Sequence, residues 1–150
     1  MAGLGRHNIE YRDNTEEVLN ALDAAVRRGN EAIGLAAEGH AKKKITAEGA
    51  VDTGRLRNSI TYALAGEETH VKQYRGYKKG QGEQKRGVYN YEGVAPGKKG
   101  DGVYIGTNVE YAIFVENGAR GRKAVHFLQD AATGHTAEYK KLMEESMKNA

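Results

Sequence analysis

Five histidines, His7, His40, His70, His126 and His135, are the first residues to ask for chemistry. No two of them stand at the i, i+4 spacing of a helical zinc site, and no His-Glu-x-x-His string occurs. His135 falls on an apolar helical stripe and reads as a partly buried packing residue in preference to a ligand. Cysteine is absent, which excludes disulfides, thiolate metal sites and a Cys nucleophile. Gly80-Gln81-Gly82 followed by Gly87 lacks the strand–turn–helix setting and the Lys-Ser/Thr ending of a phosphate loop. No Gly-x-Ser-x-Gly nucleophile elbow is present. The carboxylate pairs Glu67/Glu68 and Glu144/Glu145 fall in a turn and near a tail, where solvation is the ordinary state. Glu110 and Glu116 flank one short helix. Glu110 is placed to serve that helix's positive end, and both read as structural anchors. The chemistry expected from these residues is non-catalytic, with no cofactor and no metal.

The charge pattern is more informative. Residues 71–100 carry Lys72, Arg75, Lys78, Lys79, Lys85, Arg86, Lys98 and Lys99 against Glu83 and Glu92, a net of +6 within a chain of +3. The same window holds seven glycines and Tyr74, Tyr77, Tyr89 and Tyr91. Lysine and arginine can neutralise phosphates, and tyrosine can stack on unpaired bases. No recognition-helix, KH or RRM signature accompanies them. A solvated or subunit-contacting hairpin loop is the plainer reading, with Lys78, Lys79, Lys85 and Arg86 as its docking residues. A small nucleic-acid-binding protein using 71–100 is the alternative.

These groups must be positioned by elements that the pattern of apolar residues predicts. Residues 1–13 read as a flexible tail. A helix of roughly 28 residues is expected from Asn14, capped by that residue with Glu17 as the reciprocal partner. Val18, Leu19, Leu22, Val26, Ile33 and Ala37 form its stripe, with Ala25, Gly29 and Ala36 as small residues between them. That stripe packs either on the domain's own sheet or, in part, on a neighbouring subunit. Asp52 or Thr53 can cap a short helix through Arg55, Leu56 and Arg57. Strands are expected at 60–64, where Ile60, Tyr62 and Leu64 alternate with Thr61 and Ala63, and at about 71–76, 88–93 and 103–105. A mobile basic loop joins the middle pair at about 77–87. A short helix follows Asn108, with Tyr111 and Phe114 on its core face, and stops at Gly118. A last helix runs from about Phe127 to Lys148, weakened by Thr133-Gly134. Glu116 is expected to meet Arg55 or Arg57, or a residue of the next subunit.

Composition sets the scale of the core. The 150 residues suit one domain, yet only 26 are Leu, Ile, Val or Phe. No apolar run approaches the ~20 residues of a membrane span, and Met1 to Tyr11 lacks a signal-peptide core. A soluble chain, intracellular at synthesis, is the expectation. Its small core suggests segments that gain order or burial from a partner.

Two strings go beyond composition: Val51-Asp52-Thr53-Gly54-Arg55-Leu56-Arg57-Asn58-Ser59-Ile60, and Val103-Tyr104-Ile105-Gly106-Thr107-Asn108-Val109-Glu110-Tyr111-Ala112-Ile113-Phe114-Val115-Glu116-Asn117-Gly118-Ala119. With a helix before them and Phe127-Leu128 through Ala131-Ala132 after, their order resembles the tail-completion or head–tail joining proteins of long-tailed bacteriophages, also called neck or minor tail components. The resemblance spans about residues 14–148. Thr53, Gly54, Leu56 and Ser59 match one family motif, Tyr111, Ala112, Glu116 and Gly118 the second, and Phe127 the third. His126 stands where the family usually has proline.

The resemblance implies one α+β domain over 14–150: a long N-terminal helix packed on an antiparallel sheet of about four to five strands, with a short helix and a C-terminal helix. It implies a non-enzymatic virion protein that assembles as a homo-oligomeric ring, typically a hexamer. Its partners would be the tail-tube protein and head connector proteins, with DNA passing through the ring and no membrane. Its place would be the tail or neck, with host cytoplasm as the site of assembly.

Overall fold

The computed structural model describes residues 10–49, 54–65, 72–77, 86–91, 102–107, 109–119 and 121–149, with backbone alone for 72–77 and 86–91. In chain order the elements are α1 (Thr15–Ala47), α2 (Arg55–Ser59), β1 (Thr61–Leu64), β2 (Lys72–Tyr77), β3 (Arg86–Tyr91), β4 (Val103–Gly106), α3 (Ala112–Asn117), α4 (Phe127–Thr133) and α5 (Thr136–Lys148).

Helix α1 runs 33 residues, longer than the stripe predicts. No proline interrupts it, and Glu16 and Glu17 complement the dipole at its start. Asn14 precedes the helix but makes no side-chain cap. The Asp13 carboxylate instead accepts the Thr15 backbone N–H at 3.0 Å. Lys42, Lys43 and Lys44 do not end the helix, which continues for one turn through Ala47.

The face that α1 buries is made of small residues. Ala25, Gly29, Gly34, Ala37 and Ala41 lie inside beside the polar Asn30 and Glu38, with Ile45 as the one large aliphatic side chain that this helix buries. Their size lets neighbours approach closely. Gly29 lies under Met143 of α5, and Gly34 lies under the Tyr62 ring of β1. The Ser146 hydroxyl donates to the Ala25 carbonyl at 2.6 Å, so α5 returns antiparallel along α1. Val18, Leu19 and Leu22, expected on the packing stripe, are exposed, as is Leu35. Among the described residues no element covers the first two turns of α1.

The expected sheet of four to five strands is not formed. Strand β1 pairs antiparallel with β4, Thr61 opposite Gly106 and Leu64 opposite Val103. Strand β2 pairs antiparallel with β3, Lys72 opposite Tyr91 and Tyr77 opposite Arg86. Among the described residues these are two separate two-stranded sheets, and α1 packs on the β1–β4 pair. The alternation that locates a strand carries no information on its partner. The middle strands close on each other as a local hairpin, and the outer two close a much longer loop.

The core is one cluster: Ala41, Ile45, Leu56, Ile60, Val109, Ala112, Phe127 and Ala131, flanked by Ile105, Tyr111, Val115, Val125 and Leu128. Phe114 is not part of it and stands 59% exposed, against the expectation of a core aromatic. The reason is phase. Helix α3 begins at Ala112 and is six residues long, so Ala112 and Val115 face inward while Ile113 and Phe114 face out.

The single C-terminal helix of the sequence reading is two. Helix α4 ends at Thr133, and the Gly134 N–H bonds back to the Asp130 carbonyl at 2.8 Å. His135 then leaves helical geometry before α5 begins. The expected tail 1–13 lies mostly outside the described residues, and so does the loop at 77–87 apart from Tyr77, Arg86 and Gly87 in the strands. Among the described residues no helix is long and apolar enough to cross a membrane.

Candidate functional site

The residues of the three sequence motifs converge on the region where α2, α3 and α4 meet. Gly54 adopts φ 77°, a left-handed conformation that glycine takes without penalty, and leads directly into α2. Thr53 lies outside the described residues. Leu56 is buried in the core. Ser59 is buried too, and its hydroxyl donates to the Leu56 carbonyl at 2.7 Å. Thr107 shares a hydrogen bond with the same Ser59 oxygen and accepts the Val109 N–H at 3.1 Å. The first motif is thereby tied to the segment that opens the second.

Arg55 forms a bidentate pair with Glu110, at 3.0 and 3.1 Å, and its guanidinium lies 5.8 Å from the centroid of the Tyr111 ring. Glu110, not Glu116, is therefore the arginine's carboxylate. Glu116 has another task. Its two carboxylate oxygens accept the backbone N–H groups of Leu128, at 2.8 Å, and Gln129, at 2.9 Å. These belong to the first turn of α4, where N–H groups have no partner within the helix. His126, the residue before α4, supplies no side-chain cap among the described residues. A carboxylate twelve positions upstream caps the helix instead.

The backbone makes the same connection. The Val125 N–H donates to the Val115 carbonyl at 2.9 Å, and the His126 N–H donates to the Glu116 carbonyl at 3.1 Å. Between them the chain reverses at Gly118, φ 78°, where a Cβ would come within 2.8 Å of the Arg122 carbonyl. His126 itself has φ 51°. Proline, fixed near −65° and without an N–H, could satisfy neither that angle nor the bond to Glu116. Phe127 follows, completely buried.

The motif residues hold one another, and their chemistry is consumed internally. The region leaves two large apolar side chains outside, Ile113 and Phe114, 60% and 59% exposed and next to each other on α3, among exposed polar residues such as Glu110 and Asn117. The candidate docking residues Lys78, Lys79 and Lys85 lie outside the described residues, and Arg86 opens β3 opposite Tyr77.

A second gathering was not anticipated. His40 of α1, His135 and Glu138 of α5 present ligand-type atoms that lie within 4.8 Å of one another. The two imidazoles stack with centroids 3.5 Å apart and planes 5° from parallel. Glu138 Oε2 is 2.6 Å from His40 Nε2 and 3.9 Å from His135 Nδ1. The available signal was His135 and Glu138 at i, i+3, a spacing that places both on one face of a helical start. His40 is 95 positions upstream, and only the α1–α5 packing brings it in.

Comparisons with protein-family models, with characterised proteins and with solved structures give no match.

Proposed function

We propose that this chain is a non-enzymatic structural subunit of a phage virion, assembling with copies of itself as a ring at the head–tail interface or the end of the tail tube. The motif resemblance suggests the virion role, and the observation that supports assembly is the division of labour within α3. Ala112, Val115 and Glu116 are directed to the core and to α4, while Ile113 and Phe114 are left in solvent. Two adjacent large apolar side chains on a short, firmly anchored helix suit burial by another protein surface. Val18, Leu19 and Leu22 on the projecting turns of α1 add a second apolar stretch. The occupant we assign to these surfaces is the next copy of the chain, which would supplement the modest apolar core.

The test is reconstitution. Purified chain is mixed with tail tubes assembled without it, then followed by sedimentation and negative-stain imaging. Ring density at the tube end, lost in Phe114→Asp with the circular dichroism of the subunit unchanged, is the expected result. A chain that never associates with tubes or with itself refutes the proposal. Salt-dependent retention of DNA by the monomer would favour the nucleic-acid reading of 71–100.

A further inference from the structure

We propose that His40, His135 and Glu138 constitute a binding site for a divalent transition metal of the zinc class, joining the start of α5 to α1. Two imidazoles and one carboxylate form a donor set that suits zinc, with a fourth position left to solvent or to an incoming ligand. Ligand atoms about 2.0–2.2 Å from a tetrahedral ion stand about 3.3 Å from one another. The separations of 2.6 Å and 3.9 Å from Glu138 Oε2 to the two ring nitrogens fall on either side of that value. Sub-ångström side-chain shifts would bring both to it. The parallel stack must open as the ion enters, because lone pairs lie in the ring planes and have to converge on one point. Rotation about the last side-chain torsion accomplishes this, and that torsion is broad for histidine.

The backbone around the site is well placed to hold the ligands. His135 occupies the N-cap of α5, and Glu138 follows in its first turn. His40 lies in α1, whose packing against α5 is fixed further along by Ser146 on Ala25 and Met143 on Gly29. All three ligands are partly exposed, so an ion can reach them from solvent. The site lies on the α1–α5 seam and uses none of the residues assigned above to assembly. The metal would act as a clip at the start of a helix that lies along α1 with none of its own residues fully buried.

Titration of the full, untagged chain with Zn2+ tests the proposal, by calorimetry and by the thermal unfolding midpoint. The expected result is one ion per chain, a raised midpoint, and reversal of both by chelator. His135→Ala should weaken binding more than ~100-fold, beyond the ~10–100-fold typical of a residue that only supports a ligand. Glu138→Gln keeps size and helix while removing the anionic ligand, and should weaken binding in a chain of native circular dichroism. His126→Asn, outside the cluster and compatible with the left-handed backbone at that position, should leave it unchanged. Absence of binding and of any midpoint shift overturns the proposal. So does Zn2+ affinity that persists undiminished in His135→Ala and Glu138→Gln.

Discussion

Removing the carboxylate of Glu116 should loosen α4 without unfolding the chain. Helix α4 has seven residues, so its first-turn N–H groups are a large part of its backbone. Asp130 N–H already bonds the His126 carbonyl, and Glu116 supplies partners for Leu128 and Gln129. Hydrogen bonds to a charged group contribute about 1.5–3 kcal/mol each, and less where water can replace them. Gln129 is exposed and Leu128 half-buried, so replacement is partial. In Glu116→Gln one carbonyl oxygen still accepts, but an NH2 group faces the other donor. A loss of about 1–2 kcal/mol is expected, comparable with removal of an N-cap. Glu116→Ala loses both bonds and should cost about 2–3 kcal/mol. Urea denaturation followed by circular dichroism measures the totals, and amide exchange at Leu128 and Gln129 locates them. Because Arg55 is engaged by Glu110, Arg55→Ala and Glu116→Gln should add within about 0.5 kcal/mol. An unchanged midpoint in Glu116→Ala, or strong coupling to Arg55, would refute the capping role.

Three further outcomes follow from burial and backbone geometry. Phe127→Ala should cost about 3–5 kcal/mol and unfold much of the chain, whereas Phe114→Ala should stay within about 0.5 kcal/mol of the parent; equal losses in the two would place Phe114 in the core after all. Gly118→Ala combines φ 78° with contact between the new Cβ and the Arg122 carbonyl, so it should destabilise by at least ~1–2 kcal/mol, and a neutral result would mean that the turn is built differently. The Tyr139 hydroxyl, which donates to the Ala131 carbonyl, is held above its ordinary pKa of 10.0 by burial first and then by Glu138 and Asp130. Its stabilising contribution is full below that value and is lost as pH rises through the higher folded pKa. Phenolate absorbance should therefore show a late alkaline step that Tyr139→Phe removes, and identical titration curves would contradict it.

The sequence by itself located the strands to within about two residues, because alternation and glycine punctuation are local properties of the chain. The same holds for the stop at Gly118 and for the weak point at Thr133-Gly134, which became the break between α4 and α5. Leu56 and Phe127 were legible as motif residues, and both are core. Pairing was not legible. Which edge β1 offers to β4, and that β2 and β3 keep to themselves, depends on competing surfaces far apart in the chain. Phase was not legible in α3 either: fewer than two turns give periodicity too little length to tell Phe114 from Val115. Nor could spacing assign Glu116, since one carboxylate can serve an arginine or a helix terminus equally well. Only the turn through Gly118 and His126 set α4 before Glu116 and left Arg55 to Glu110. The His40–His135–Glu138 cluster is the extreme case. It exists because the small residues of α1 let α5 lie close, an effect of packing across the length of the chain.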